Sequence, residues 1–342
     1  MAQSMPSGTN TFIPQMVQDN LIVGFARNKD DYSVNKYVQI IPTPKNRAYY
    51  LKIDGSTAVR MTNTDLRNIV WPDGQKRPDM DNDVAEFEFV QIDTKRHNFG
   101  FTVGQMAVEQ AQWDVVSVNA GFAANRAMVA RTIAVHSALN SASWGDNTAT
   151  ATVAGGGKVD TGTATDPRFK KAKNYAAQQI RKATFGAVKA NDSICVMAPK
   201  VAEAIAASQE IHSYIKESPF ALAQLRGDAP NQNANWGLPE SLYGTRIIID
   251  DAFRVSSKRN AATTNTVSVF DEDTIYFLSR PGGMVMPYGG VSFSTVQLFV
   301  REEMNVEAQQ DTFNRRIQGA VADDYGAYVV APASGYKLTD VL

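Results

Sequence analysis

The feature that most constrains this chain is a long helical repeat at residues 102–139. Small and apolar residues recur there every three or four positions, and no proline interrupts them. This pattern predicts one unbroken helix, which at 1.5 Å per residue would be on the order of 50 Å long. Because average helices have three or four turns, a helix of this length is typical of a protein that spans a distance, not one that encloses a pocket.

Gly121 lies in the middle of the predicted helix. Glycine costs roughly 1 kcal/mol relative to alanine in a helix interior. We therefore expect a bend at Gly121 or close contact with another element, with Trp113 and Phe122 packed nearby.

The composition excludes several classes of protein. The 342 residues include 34 Lys and Arg and 35 Asp and Glu, so the chain as a whole is not a polycation that would bind nucleic acid over its entire surface. Cys195 is the only cysteine, which excludes an intramolecular disulfide and a cysteine metal cage. The polar N-terminus does not have the apolar segment of a signal peptide, and no apolar run is long enough to span a membrane. We expect a soluble protein made in a reducing cytoplasm.

The predicted elements begin with an extended arm and a hairpin. Residues 1–35 are punctuated by prolines and contain few apolar side chains, so this arm could not bury enough surface to order itself alone. Strand-like runs follow at 37–41, 49–53 and 86–92, and the last alternates polar with apolar residues as a half-exposed strand does. They predict a long hairpin. Because an isolated hairpin is barely stable in water, it needs another surface to lie against.

The second half of the chain alternates helices and strands. A stretch rich in Thr, Ala and Gly at 147–165 predicts a flexible surface loop. Beyond it, the predicted helices are 167–184, about 199–214 and 219–225, and the predicted strands are 194–197, 246–249, 274–278, 291–300, about 305–313 and 327–330. The strands at 291–300 and 305–313 are predicted to pair as a second long hairpin.

The motifs that bind nucleotides or calcium are incomplete in this sequence. Gly155–Lys158 places three glycines before a lysine, but a phosphate-binding loop requires Ser or Thr where Val159 stands and glycine where Thr152 stands. The acidic run 79–83 begins like a calcium loop, yet Val84 replaces the required glycine. We interpret that run as a solvated loop, with weak binding of a divalent cation as the alternative.

The three histidines do not form a metal or catalytic site. His97, His136 and His212 lie at no ligand spacing from one another, and there is no nucleophile elbow. We interpret His136, on the long helix, as a packing or interface residue. The sequence therefore predicts no catalytic residue, no cofactor, no metal and no enzymatic activity.

The order of elements, together with several segments, resembles a known family. The segments are Phe101–Gly104 before the long helix, Val196–Lys200 opening a central helix, Leu242–Ile249, and Val296–Glu303. They resemble the major capsid proteins of tailed bacteriophages, which have the Hong Kong 97-type fold. The resemblance covers nearly the whole chain and rests on topology and loose patterns.

The resemblance implies an α+β chain divided as capsid proteins of this family are. The implied segments are 1–44, the N-terminal arm and lead-in strand; 45–100, the extended hairpin or E-loop; 101–190, the peripheral domain with its spine helix; 191–290, the axial α/β domain; 291–326, the long strand pair of the peripheral domain; and 327–342, the strand returning to the axial domain.

The resemblance also implies a function and partners. The chain would assemble with itself into pentamers and hexamers of an icosahedral phage head that encloses double-stranded DNA. Because Met1 leads directly into the arm, scaffolding would come from a separate protein, alongside a portal and, where the head carries one, a decoration protein. No membrane is involved, and the mature protein would reside in the virion after assembly in the host cytoplasm.

Two sets of residues are implied to make these contacts. The arm and the hairpin cannot bury their apolar side chains within one subunit, so the residues expected at subunit contacts are Phe12, Tyr49, Tyr50, Phe87 and Phe89. Residues 166–189 carry seven basic residues and one acid, which favours a surface that binds phosphates without sequence preference. The residues expected to face DNA are Arg27, Lys29, Arg126, Arg131, Arg168, Lys170, Lys171 and Lys173.

Other interpretations remain open at this point. The basic side chains could lie on the outer surface or pair with acids such as Glu109. The same fold would serve an encapsulin-like bacterial nanocompartment shell, which encloses enzymes, although the proline-broken arm favours a virus. An unrelated α/β enzyme with an atypical site is the last alternative.

Overall fold

The computed structural model of the chain describes residues 31–53, 70–71, 73–76, 87–111, 113–188, 193–258, 261–279, 284–285 and 292–342. The helices are α1 (Val34–Tyr37), α2 (Gln105–Gln110), α3 (Val115–Ser141), α4 (Ala151–Gly155), α5 (Arg168–Ala183), α6 (Pro199–Ala207), α7 (Gln209–Glu217) and α8 (Pro219–Arg226).

The strands of the described residues fall into two larger sheets and three short ribbons. They are β1 (Gln39–Pro42), β2 (Arg47–Ile53), β3 (Phe87–Asp93), β4 (Lys95–Gly104), β5 (Thr148–Thr150), β6 (Ser193–Met197), β7 (Ser241–Leu242), β8 (Thr245–Ile249), β9 (Phe253–Val255), β10 (Thr266–Ser268), β11 (Thr274–Ser279), β12 (Met284–Val285), β13 (Ser292–Phe293), β14 (Val296–Asp311), β15 (Arg316–Val329) and β16 (Tyr336–Thr339).

A six-stranded sheet with the order β5-β16-β11-β6-β8-β7 lies at the centre of the main core. Every residue of β6 and β11 is buried, which is why both strands appear in the sequence as continuous runs with few charges. The final strand β16 joins this sheet between β5 and β11. The return strand predicted at 327–330 is instead the end of β15. The division of the chain into domains stays a prediction.

The stretch 147–165 is not the surface loop that its composition predicts. It contains β5 and α4, and Ala151 and Val159 are fully buried in the main core. Its small residues permit close packing: a Cβ added at Gly155 would meet the backbone oxygen of Arg168 at 2.9 Å. The small residues of this stretch allow α4 to pack tightly against α5, so the stretch is not an exposed loop.

A four-stranded sheet with the order β1-β14-β15-β4 forms the second layer. Its longest ladder joins β14 to β15 from Val296↔Val329 to Asp311↔Arg316. The prediction that 291–300 pairs with 305–313 is therefore wrong, because both runs contribute to the single strand β14. The polar residues between them form a bulge with two register shifts, so the strand is distorted but does not end.

The long helix is shorter than the sequence predicts. Residues Phe101–Gly104 belong to β4, which pairs with β15, and α2 ends at Gln110. The helix α3 begins at Val115 because the Asp114 carboxylate accepts hydrogen bonds from the backbone N–H groups of Val116 and Ser117 at 3.0 Å. Its 27 residues span roughly 40 Å.

The N-terminal half of α3 packs against β4 and β15 around a second, smaller cluster. Ala123 and Ala127 contribute from the helix, and Phe101 and Val321 from the sheet. The helix continues through Gly121. A Cβ added at Gly121 would meet no atom within 4 Å, so the close contact expected there is absent from the described part of the subunit.

A buried ion pair joins the helix to the sheet. Arg131 is 2% exposed and Asp323 is fully buried. Nε and Nη2 of Arg131 donate to the two carboxylate oxygens of Asp323 at 2.7 and 2.6 Å, and the guanidinium lies 5.7 Å from the centre of the Tyr325 ring. The prediction that Arg131 faces DNA is therefore wrong, since its charge is used inside the subunit.

Removing one partner of this pair would strand a buried charge. We expect Arg131→Met to lower the free energy of unfolding of the unassembled subunit by about 3–5 kcal/mol, and Arg131→Met with Asp323→Leu to recover most of that loss. Urea unfolding measures both. Arg96→Met, which breaks an exposed pair with Glu302, is the control and should cost under about 1 kcal/mol. A single variant as stable as this control would contradict the expectation.

His136 is a packing residue in the described part of the chain. It is 8% exposed, its Nε2 accepts a hydrogen bond from the Asp271 N–H at 3.0 Å, and its ring packs against Phe270. Burial lowers the pKa of His136 from 6.5 to about 4, and outweighs the opposing effect of the Asp271 carboxylate.

This pKa makes stability depend on pH. The unfolded chain protonates His136 as the pH falls below 6.5, whereas the folded chain does so only near 4. We expect the free energy of unfolding to fall over that window by about 3 kcal/mol from this group, with no contribution above pH 6.5. Urea unfolding of the wild type and of His136→Asn at pH 7 and pH 4.5 isolates the effect. Equal losses in both proteins would refute it.

Candidate assembly interface

The predicted hairpin is confirmed where its strands are described. β2 and β3 pair antiparallel from Arg47↔Asp93 to Ile53↔Phe87, and they bond to no third strand among the described residues. The base is tied to the four-stranded sheet through Tyr328, whose hydroxyl accepts from the Asp93 N–H at 3.0 Å and donates to the Asp93 carbonyl at 2.8 Å. Beyond this anchor, the described part of the ribbon has no further strand partner.

One face of the hairpin is apolar and exposed to solvent. Leu51 lies opposite Phe89, and Tyr49 lies opposite Gln91, so these side chains share a face because cross-strand partners point the same way. Tyr49, Leu51 and Phe89 are 59%, 46% and 72% exposed. We call these three residues the apolar face. On the other side of the ribbon, Ile92 is buried.

The charges of the hairpin are paired with each other. Arg47 lies 3.0 Å from Asp93 and Lys52 lies 3.1 Å from Glu88, and the four side chains are between 43% and 65% exposed. Exposed pairs of this kind add little stability, but they leave the ribbon without excess charge. Contact between the apolar face and another surface would therefore be driven by burial of apolar area.

The β14–β15 hairpin presents a second uncovered region. β1 pairs with β14 only as far as Val300, so the remaining outer edge of β14 has no strand partner in the described residues, which makes it an open edge. At the tip, Phe313 is 94% exposed. The turn is ordered, because the Asp311 carboxylate accepts from the Asn314 backbone N–H at 3.1 Å and from Arg316 Nε at 3.1 Å.

A third exposed ribbon extends from the six-stranded sheet. β9 and β10 pair antiparallel, and Phe253 and Val255 are 51% and 60% exposed on one face of this ribbon. Three separate projections in the described part of the chain thus carry large apolar side chains in solvent. Uncovered apolar patches of this kind mark surfaces that meet other proteins.

The fold matches solved structures of a phage-related protein and of capsids along almost its whole length. A phage-related protein from Bordetella bronchiseptica RB50 is 13% identical, with a TM-score of 0.56 over 92% of this chain and 94% of that chain. The mature capsid of bacteriophage PhiM1 is 12% identical, with a TM-score of 0.55 over 96% and 92%. The capsid of a native GTA particle is 12% identical, with a TM-score of 0.53 over 97% and 96%.

This chain has the fold of phage capsid proteins. The α+β fold class predicted from the sequence is confirmed. At identities near one residue in eight, the likeness is one of fold. No protein-family model and no curated protein matches the sequence.

The residues predicted at subunit contacts have different surroundings in this capsid fold. Tyr49 and Phe89 belong to the apolar face, and Tyr50 is half-buried on the opposite face. Phe87 holds its register position opposite Ile53, but its side chain lies outside what the structure describes. Phe12 lies outside the described residues. Whether neighbouring subunits cover these side chains stays a prediction.

Some of the basic residues predicted to face DNA bond to other groups of the subunit, and others are exposed. Besides Arg131, two of them bond within the subunit: Arg168 Nε binds Asp166 at 3.2 Å, and half-buried Lys173 donates to the Tyr243 carbonyl at 2.6 Å. Burial also lowers the pKa of Lys173. Lys170 and Lys171 are exposed.

The other three residues predicted to face DNA are Arg126, Arg27 and Lys29. Arg126 is exposed and donates to the Gly100 carbonyl at 3.1 Å. Arg27 and Lys29 lie outside the described residues. Whether any of these side chains contacts DNA stays a prediction.

The described residues contain no cluster suited to metal binding and no membrane-spanning helix. No three His, Cys, Asp or Glu side chains among them are grouped so that they could hold an ion. Cys195 is fully buried, and burial raises the pKa of its thiol. Within the same ranges, no helix is both long enough and apolar enough to cross a bilayer.

The apolar face can be tested by changing its most exposed member. We expect Phe89→Ser to leave the free energy of unfolding of the isolated subunit within about 0.5 kcal/mol, because the ring is already in solvent, and to abolish assembly into particles. Sedimentation velocity measures assembly, and urea unfolding measures stability. Phe89→Leu, which keeps an apolar side chain, is the control and should assemble. Normal assembly of Phe89→Ser would exclude this residue from the interface.

Proposed function

We propose that this chain is the major capsid protein of a tailed phage and that its copies assemble into pentamers and hexamers of an icosahedral head around double-stranded DNA. The observation that carries the proposal is the apolar face, held in solvent by a ribbon on a chain with the capsid fold. A protein that worked alone would leave Tyr49, Leu51 and Phe89 in water, whereas a shell gives each copy a neighbour that can cover them.

Burial of the apolar face would contribute a useful amount of free energy. Complete burial of an aromatic or leucine side chain contributes about 1.5–3 kcal/mol, so three half- to three-quarters-exposed side chains offer several kcal/mol per contact. That amount is weak for one pair of subunits but is repeated at every contact of a closed shell. The interaction is therefore reversible early in assembly and collectively strong in the finished particle.

The other parts of the proposal concern partners and location. The role is structural and not catalytic. A head of defined size would use a separate scaffolding protein and a portal, and a decoration protein where the head carries one. The finished protein would reside in the virion after assembly in the host cytoplasm. The DNA would be held without sequence preference, since a charge near neutrality leaves only local basic surfaces.

Electron microscopy of the purified full-length chain tests the assembly claim. We expect closed, regular particles built from rings of five and six subunits. A monodisperse folded monomer at micromolar concentration, with the β2–β3 hairpin resistant to protease, would contradict the proposal. Particles that recruit a folded cellular protein instead of nucleic acid would favour a nanocompartment shell and contradict the phage assignment.

A further inference from the structure

One face of helix α5 carries a row of basic and amide side chains. Its six exposed positions fall within an arc of about 120° at 3.6 residues per turn; they are Lys170, Lys171, Asn174, Gln178, Arg181 and Lys182. We call this set the basic stripe. The opposite side of the helix is buried in the main core through Phe169, Ala172, Ala176 and Ile180. The stripe is thus held rigidly, and it contains four cations and no acid.

The cations of the basic stripe are exposed, and of the four only Lys171 has an acidic partner among the described residues. Lys171 lies 2.6 Å from Asp166, but both side chains are about half exposed, and such pairs contribute little. Lys170 lies 5.5 Å from the centre of the Tyr243 ring. Arg181 and Lys182 have no acidic partner among the described residues. Arg168 and Lys173 differ from the stripe because they are less exposed: the Arg168 side chain beside Asp166 is 26% exposed, and half-buried Lys173 donates to the Tyr243 carbonyl.

An open depression of about 560 Å³ adjoins the C-terminal end of the stripe. Arg181 and Lys182 line it together with Phe185, which is 48% exposed. The turn that carries Phe185 is closed by a 2.8 Å hydrogen bond from the Gly186 N–H to the Arg181 carbonyl, and Gly186 has a φ of +82°. The turn therefore presents an aromatic ring beside two cations that have no acidic partner among the described residues.

We propose that the basic stripe is the surface through which the shell contacts its packaged double-stranded DNA, an inference that rests on the proposed capsid function. Lys170 and Lys171 bind phosphates at one end of the helix, and Arg181 and Lys182 bind phosphates about 16 Å further along. The amides of Asn174 and Gln178 donate to the backbone between them. Phe185 packs against a deoxyribose.

The chemistry of the basic stripe favours DNA over an acidic protein. Three of its four cations are lysines, and lysine is depleted from protein–protein interfaces, which rely on a buried apolar centre. The stripe has no such centre, since Phe185 lies at one end. Phosphate contacts by Lys and Arg carry no sequence information. The contact is thus sequence-blind, and four charges per subunit keep it weak at physiological salt.

The first test measures the salt dependence of DNA binding by unassembled subunits. The stripe variant carries Lys170→Gln, Lys171→Gln, Arg181→Gln and Lys182→Gln, and the probe is a short labelled DNA duplex. Since each lost phosphate contact removes about 0.9 from the slope of log K against log salt, we expect the slope to become shallower by about 2 to 4.

The control variant removes four exposed cations elsewhere, with Lys200→Gln, Lys216→Gln, Arg226→Gln and Lys258→Gln. It should keep the wild-type slope. Equal slopes in the stripe and control variants would overturn the proposal. Because the stripe residues are exposed, we expect the four substitutions to leave folding intact. Formation of particles by the stripe variant checks that it has folded.

The second test asks which side of the shell carries the stripe. Since Cys195 is buried and is the only cysteine, Gln178→Cys places a single accessible thiol within the stripe. We expect a bulky maleimide to label this thiol only after particles are dissociated. Equal labelling of intact particles would place the stripe outside, overturn the DNA contact and favour an acidic protein partner. If the wild-type chain forms no particles, the proposed capsid function is refuted. If it forms particles but the stripe variant binds DNA with the wild-type salt slope, only the role of the stripe is refuted.

Discussion

The ion pair between Arg131 and Asp323 fixes the arrangement on which the rest of the subunit depends. It holds α3 across β15, and β15 in turn pairs with both β14 and β4. The β2–β3 hairpin leaves the sheet where β4 begins, with Thr94 bonded back to the Asn46 carbonyl at 2.8 Å. Loss of either partner alone would leave an unpaired buried charge, so the pair favours this one position of the helix against the sheet from which the β2–β3 hairpin extends.

Local patterns were enough to predict the elements whose cause is local. The alternation at 86–92 gave β3, and Pro167 followed by a helical repeat gave α5. The failures have identifiable reasons. The prediction of one helix over 102–139 is wrong because Asp114, a residue type that often caps helices, begins a new helix at Val115. The polar residues between 300 and 305 are interpreted from the sequence as a turn between two strands. They form a bulge, and a strand can continue through a bulge when its partner strand is long enough.

The candidate surfaces were predictable to different degrees. The apolar face follows from period-two alternation, because Tyr49 and Leu51 lie two residues apart on one strand. The basic stripe could also have been read from a helical projection of 168–183, which separates Lys170 and Arg181 from inward-facing Lys173. The fate of Arg131 could not, since its partner lies 192 positions away in the chain and only the folded sheet brings the two together. Charge counted along a sequence does not distinguish a buried pair from a free cation.

Hydroxyl-radical footprinting of free subunits and assembled particles measures most directly whether a neighbouring copy covers the apolar face. Tyr49 and Phe89 are the reporters, and buried Tyr37 gives the reference for a protected ring. If the hairpin lies against a neighbour in the shell, oxidation of Tyr49 and Phe89 should fall on assembly towards the rate at Tyr37. Unchanged oxidation of both rings in intact particles would contradict the view that this hairpin holds the shell together.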